Sequence, residues 1–436
     1  MNNVLDFGAE GDGKTLDTKA IQAAIDAGGT VYFPKGEYLT GTLFLKSNGG
    51  LHLEDGAVIK ASTNKADYNE SDCFEQNCRS SSEGVDIGKH LIIAAEQENV
   101  SIGGSGTIYG SAGFWVNENG YNADADIYIP NKERPGQMIY FCECKNVKIS
   151  GVSLRYAPFW HLFLHGCENV SVSGLNIEGE PKQYTNDGID IDSCKNVTVS
   201  DCIIRVGDDA LTLRCDTSRL KKKRCCENVC VTNCVLSSNG AYGIRIGVGE
   251  GLIRNCVLSG ITICDTMVGI NLINRFSPNG KCTSIENIKF SNFIINASRT
   301  FDIGFKGVDA HPPIAEECFT RNITFSDIYA KSYKNNRVLG AEKEDKGKIS
   351  DIRFKDCDFV FYGDVVNKGW VESPECWESQ SSGNGFNVRN VENLEFNNVR
   401  ISYTDDSFGW NFDYELENDC GTVFKDCTEN KGIGRK

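Results

Sequence analysis

The chain has 436 residues, 40% of them hydrophobic, with forty-five glycines against nine prolines, which is the composition of a folded, turn-rich protein rather than a disordered or collagen-like one. Sixty acidic side chains against forty-five basic ones leave a net charge of -15, a field that repels nucleic acid and anionic membrane surfaces. The length fits one large core or two or three ordinary domains.

Residues 1–6 lack the basic and apolar regions of a secretory signal, and no apolar run reaches bilayer length, so the expectation is a cytoplasmic protein without a membrane partner. In "LDTKAIQAAIDAGG", Asp17 or Thr18 caps a short helix that buries Ala20, Ile21, Ala24 and Ile25 and stops at Gly28 and Gly29. From there on one phrase returns: "ENVSIGGSGTI", "KNVKISGVSLR", "ENVSVSGLNIE", "KNVTVSDCIIR", "ENVCVTNCVLS", "ENIKFSNFIIN", "RNITFSDIYAK", "ENLEFNNVRIS". Each copy opens on a polar residue and Asn and then alternates apolar with small polar residues. Asn146, Asn169, Asn196 and Asn228 recur at the spacing of a stacked unit. The pattern predicts an all-β, single-domain right-handed parallel β-helix over 1–436, with residues 1–30 covering one end and about 403–436 the other.

The aromatic residues Trp115, Tyr156, Phe159 and Trp160 precede the most acidic stretch, and Trp160 is a candidate sugar contact. His161 and His165, in "WHLFLHG", share a strand face and read as hydrogen-bonded structural histidines. The stretch "TNDGIDIDSCKNVTVSDCIIRVGDD" then carries six aspartates. Asp187 and Asp208 lie about one coil apart and are therefore vertical neighbours, with Asp209 next to them and Gly207 supplying a bend. Carboxylates gathered this way repel, so one of them is expected to hold a proton near neutrality, which is equipment for breaking a glycosidic bond. Asp190, Asp192 and Asp201 alternate with isoleucines and read as outward strand or turn residues. Most of the twenty cysteines lie in strand-like runs, as small buried hydrophobes. Cys226, Cys230 and Cys234, four apart, lack the paired motif of a structural zinc site.

At the acidic stretch the chain resembles the polygalacturonase family of glycoside hydrolases, family 28. The resemblance rests on "VLDFGAEGDGKTLDTKAIQAAIDA" and "GGTVYFPKGEYLTGTLFLKSN" at the start, "APFWHLFLHGCENV" before the site, and the two acidic motifs "NDGIDIDSCKNV" and "VGDDALTL". It implies a general acid at Asp208, a water-activating pair at Asp187 and Asp209, and at Asn186 a residue that binds substrate or orients a carboxylate. The family's Gly-His-Gly is met by "AYG", which puts Tyr242 in the histidine's place. Its Arg-x-Lys is met by Asn271 and Ile273, which lack the charge that pairs with a uronate carboxylate. Arg245 is the first candidate to restore a cation, and Arg214 and Arg275 are further ones.

The function expected is therefore an inverting glycosidase acting on a pectin-like or other plant-derived oligosaccharide other than plain polygalacturonate. A cytoplasmic setting favours short imported substrates and hence exo-action. The scheme needs neither cofactor nor metal. Two alternatives stay open: a lyase of the same architecture using Arg245 or Lys306 with calcium, and a non-catalytic carbohydrate-binding β-helix.

Overall fold

Apolar alternation with a bend after each short run dictates strands that lie on one another, and the structure, a computed structural model, is the expected right-handed parallel β-helix. It describes residues 1–71, 73–77, 88–122, 127–273, 280–305, 314–342, 344–362, 383–404, 410–419 and 421–436. They gather into two compact units, Met1–Ala210 with Thr217–Arg224, and Leu211–Asp216 with Cys225–Lys436. Among the described residues no helix is long and apolar enough to cross a membrane.

In the first unit each coil lays down three short strands, and each strand pairs with its equivalent one coil later. One wall stacks Ile92–Ala95, Ile139–Cys142, Leu162–His165 and Ile189–Asp192, which aligns the buried Ala94, Phe141, Leu164 and Ile191. A second wall aligns Val100, Val147, Val170 and Val197. A third aligns Ile108, Leu154, Ile177 and Ile204. Each large aliphatic chain withdrawn from water in this way contributes roughly 1.5–3 kcal/mol.

The Asn of the repeat has two tasks. Asn99, Asn146, Asn169 and Asn196 stand at φ of 57 or 58°, a left-handed bend that asparagine adopts more readily than most side chains. Each amide also donates to the asparagine one coil back, Asn99 to Asn48 at 2.7 Å, Asn146 to Asn99 at 2.9 Å, and Asn169 and Asn196 to their predecessors at 3.0 Å. An amide both donates and accepts, so the ladder propagates. Asp201 has φ of 58° at a bend where the preceding coils place Gly151 and Gly174, in keeping with a turn residue.

Of the described cysteines of this unit, Cys142, Cys144, Cys167, Cys194 and Cys202 are buried, whereas Cys73 is exposed. The thiols of Cys144, Cys167 and Cys194 donate to the carbonyls of Ala94, Phe141 and Leu164 at 3.1, 3.3 and 3.3 Å, each one coil back. The end cover differs in one detail from expectation. The helix Thr18–Asp26 does bury Ile21, Ala24 and Ile25, with Ala20 half-buried, but the Asp17 carboxylate does not cap it. That carboxylate instead accepts the N–H groups of Glu10 and Gly11 at 2.8 and 3.1 Å, pinning the preceding turn.

The second unit runs on longer strands, among them Leu252–Ile273, Ser284–Gly304, Cys318–Ser332, Gly347–Phe361 and Val391–Tyr403. Its interior is aromatic. Phe290, Phe325, Phe354, Phe396 and Phe424 follow one another in register, with ring centroids 4.8, 4.9, 5.1 and 5.3 Å apart and interplanar angles of 12° or less. Cys282 and Cys318 are joined by a disulfide, whereas along Cys226–Ser238 the cysteines at 226, 230 and 234 are buried, exposed and buried, facing different ways. The last residues continue the coil, with Phe412–Glu417 paired in parallel to Ile433–Arg435.

Candidate active site

The parallel ladder of the first unit extends beyond its strands into the bend that precedes the first wall. The carbonyl of Asp187 accepts the N–H of His161 at 2.8 Å, and Gly188 N–H donates to the carbonyl of Asp209 at 2.9 Å, so one acidic motif lies directly on the other. Gly207 is required here by proximity rather than by a special φ: a Cβ on it would stand 2.2 Å from the carbonyl oxygen of Gln183. The bend expected of Gly207 is thus a close approach of two chain segments.

The two motifs bring Asp187, Asp208 and Asp209 together, with one carboxylate oxygen from each lying within 4.8 Å of the others. Asp187 and Asp209 are buried and Asp208 is half-buried. Like charges at that distance repel by about 3 kcal/mol per pair at the effective dielectric of a protein surface. The backbone acts on Asp208 in the opposite direction. Its Oδ2 accepts Thr185 N–H at 2.6 Å and its Oδ1 accepts Asp209 N–H at 2.9 Å, bonds that favour its ionised form. Thr185 aims its N–H from φ of 66°, a position that costs a β-branched residue of order 1–3 kcal/mol. Strain therefore sits directly beside the acids.

Asn186 contacts the backbone of the second acidic motif. It is wholly buried, its Oδ1 accepts the N–H groups of Gly207 and Asp208 at 2.8 and 3.0 Å, and its Nδ2 donates to the Glu180 carbonyl at 2.8 Å. Such a side chain braces the second acidic motif. Asp190 and Asp192 alternate with the core residues Ile189 and Ile191 as expected, but both are buried rather than exposed to solvent. Trp160 is half-buried, stacked on Phe159 at 5.0 Å and edge-on to Phe163 at 5.3 Å, at the border of an aromatic cluster with Tyr140.

Two supports were not legible as such in the sequence. Arg134 is 1% exposed, donates to the Pro158 carbonyl at 2.9 Å and lies over the Phe159 ring at 4.8 Å. Gln183 Nε2 meets the same carbonyl at 2.8 Å, tying the loop before His161 to the bend that carries the acids. The hairpin Val116–Asn122 with Ile127–Pro130 docks there too, through Tyr128 N–H to the Lys182 carbonyl at 2.8 Å.

Residues 73–370 match the family described as "Glycosyl hydrolases family 28", and residues 1–77 that described as "Rhamnogalacturonase A/epimerase, pectate lyase-like". The chain belongs to glycosyl hydrolases family 28. A probable polygalacturonase of Vitis vinifera is 29% identical over 221 residues, which is 49% of this chain and 44% of that protein, so the chain spans less than half of that relative's length. An exopolygalacturonase of Cochliobolus carbonum is 26% identical over 353 residues, or 75% of this chain and 72% of that one. The solved structure of a family 28 exopolygalacturonase of Yersinia enterocolitica shares the fold, with a TM-score of 0.72 at 18% identity over 99% of this chain and 78% of its own.

The positions at which this family 28 chain departs from the expected motifs lie in the second unit. Tyr242 packs with Ala241, Met267 and Val268, and the Arg245 guanidinium lies over its ring at 5.4 Å. Arg245 is in register with Asn271 on the next strand, and Asn271 with Asp302 on the one after. Asn271 is wholly buried and neither of its amide atoms has a hydrogen-bond partner among the described residues, while Ile273 is 6% exposed. Arg214 is half-buried. Arg275 and Lys306 lie outside the described residues. Asp302 is claimed by two guanidiniums, Arg337 through Nε at 3.1 Å and Arg299 at 3.7 Å.

Proposed function

We propose that the chain hydrolyses glycosidic bonds of a pectin-derived oligosaccharide from a chain end, with inversion, using Asp208 as proton donor and Asp187 with Asp209 as the pair that activates water. The observation that carries the reading is the convergence of three carboxyls within 4.8 Å on a scaffold of buried backbone braces. In this scheme Asp208 protonates the leaving oxygen as the bond breaks, and the ionised pair takes a proton from the attacking water. In this scheme the flanking negative charges oppose the two N–H donors that favour ionised Asp208. Exo-action is supported by the similarity to an exopolygalacturonase. A substrate other than plain polygalacturonate is supported by the uncharged, buried Asn271 and Ile273 at the positions of the basic motif.

The alternative stereochemistry is retention, in which one carboxylate attacks the sugar directly. Proton NMR of the first-formed anomer, on a panel of galacturonate dimers and trimers and rhamnogalacturonan fragments, separates the two. An inverted anomer from chain ends is the expected result. A retained anomer overturns the stereochemistry, an unsaturated product absorbing in the ultraviolet overturns hydrolysis, and internal fragments from long chains overturn exo-action.

A further inference from the structure

We propose that His161 is a positioning residue for this reaction: its Nδ1–H grips the main-chain carbonyl of Asp187 and so sets where the Asp187 carboxylate stands. The inference rests on the hydrolase reading above. His161 lies one coil before Asp187 at the entry to Leu162–His165 and is wholly buried. Its Nδ1 is 2.9 Å from the Asp187 carbonyl oxygen, which also accepts the His161 backbone N–H at 2.8 Å. One residue thus holds one oxygen twice, fixing the peptide plane from which the Asp187 side chain departs.

The ring's other nitrogen completes the assignment. Nε2 faces the N–H of Ala157 at 3.3 Å, so it accepts, and the proton resides on Nδ1 opposite the carbonyl. Glu178 contributes a carbonyl 3.3 Å from Nε2. Room for the ring is made by Gly179, where a Cβ would stand 3.0 Å from His161 Cε1 and 2.6 Å from Asn186 Nδ2. A single glycine therefore admits two braces, His161 for the motif of Asp187 and Asn186 for the motif of Asp208. Burial holds the imidazole neutral, its pKa pushed down to about 4; the Arg155 charge pushes the same way, while the Asp187 and Asn186 carbonyls oppose. His161 touches none of the reacting carboxylates, and its effect passes through the backbone.

Asparagine can present its Nδ2 where Nδ1 stands, whereas glutamine presents its amide nearer the Nε2 position. The test compares His161→Asn, His161→Gln and His161→Leu in the full chain, on the best-cleaved member of the galacturonate and rhamnogalacturonan panel, below the melting temperature of each. His161→Gln and His161→Leu are expected to lose about 10- to 100-fold in kcat with KM within about twofold, and His161→Asn to recover to within about fivefold of wild type. If His161→Leu does not fold, the Asn and Gln pair carries the comparison. Equal kcat in His161→Asn and His161→Gln, or parallel changes of kcat and KM, overturns the inference. Asp208→Asn is run alongside: an active wild type, an inactive Asp208→Asn and equal His161 variants refute the positioning role alone. A wild type inactive on the whole panel refutes the hydrolase reading and this inference with it.

Discussion

The two units treat buried charge in opposite ways. In the first, Asp187 and Asp209 are buried, with His161 and Asn186 holding the backbone around them. In the second, the carboxylate of Asp302 is neutralised by Arg299 and Arg337, all three side chains at most 14% exposed. The same repeat builds both. A coil stack gives every outward position a vertical neighbour, and at Asp302 that neighbour is the guanidinium of Arg337.

The comparison breaks first at Asp208. Asp208→Asn is expected to lower kcat by about 10²–10⁴-fold with an unchanged circular dichroism spectrum; near-normal turnover would remove the distinction between the units. Asp302→Asn is its counterpart and is expected to spare turnover per folded molecule. It leaves two guanidiniums buried without their carboxylate, so urea titration should show a loss of about 3–5 kcal/mol.

A third prediction concerns pH. The folded-state pKa of His161, about 4, lies below the ordinary value of 6.5, so the unfolded chain binds its proton first. The contribution of this residue is complete above pH 6.5 and is lost as pH falls toward 4, at most about 3 kcal/mol. His161→Asn should flatten that part of the stability profile, measured as the difference from wild type between pH 7 and pH 4. The smallest effect sharpens the comparison at the ladder of bends. In the second unit Asn287 donates to Asn255 at 3.2 Å, Asn322 to Asn287 at 2.7 Å and Asn393 to Asp351 at 3.2 Å. Asp351 stands opposite Asn322, and a carboxylate has no N–H to pass on. Asp351→Asn is expected to raise stability by about 0.5 kcal/mol in thermal melts, whereas Asn169→Ala in the first unit lowers it by about 1–2 kcal/mol through its left-handed backbone.

Much of the fold was legible in the sequence because its cause is periodic. An Asn in each repeat, followed by alternating apolar residues, implies both the strand and the bend, and the acidic motifs one coil apart imply their own stacking. What was not legible depends on contacts between bends. Nothing in "YTNDG" announces that Thr185 takes a left-handed conformation to aim its N–H at Asp208, or that the Asn186 amide is consumed by the Gly207 and Asp208 backbone. His161 was recognisable as structural, but the carbonyl it grips was not. Asp190 and Asp192 alternate as exposed strand residues do, yet they are buried, so alternation alone does not report exposure. Arg134 stood in a stretch without periodicity and gave no signal of burial.

The thiols of Cys144 and Cys167 are held far from ionisation, Cys144 by its contact with Cys167 and by burial, Cys167 by burial first. An alkylating reagent, which is attacked by thiolates, is therefore blind to both while their coils stay closed. Because they occupy successive rungs, the order in which mass tags appear in mild denaturant reads out the direction in which the stack unzips.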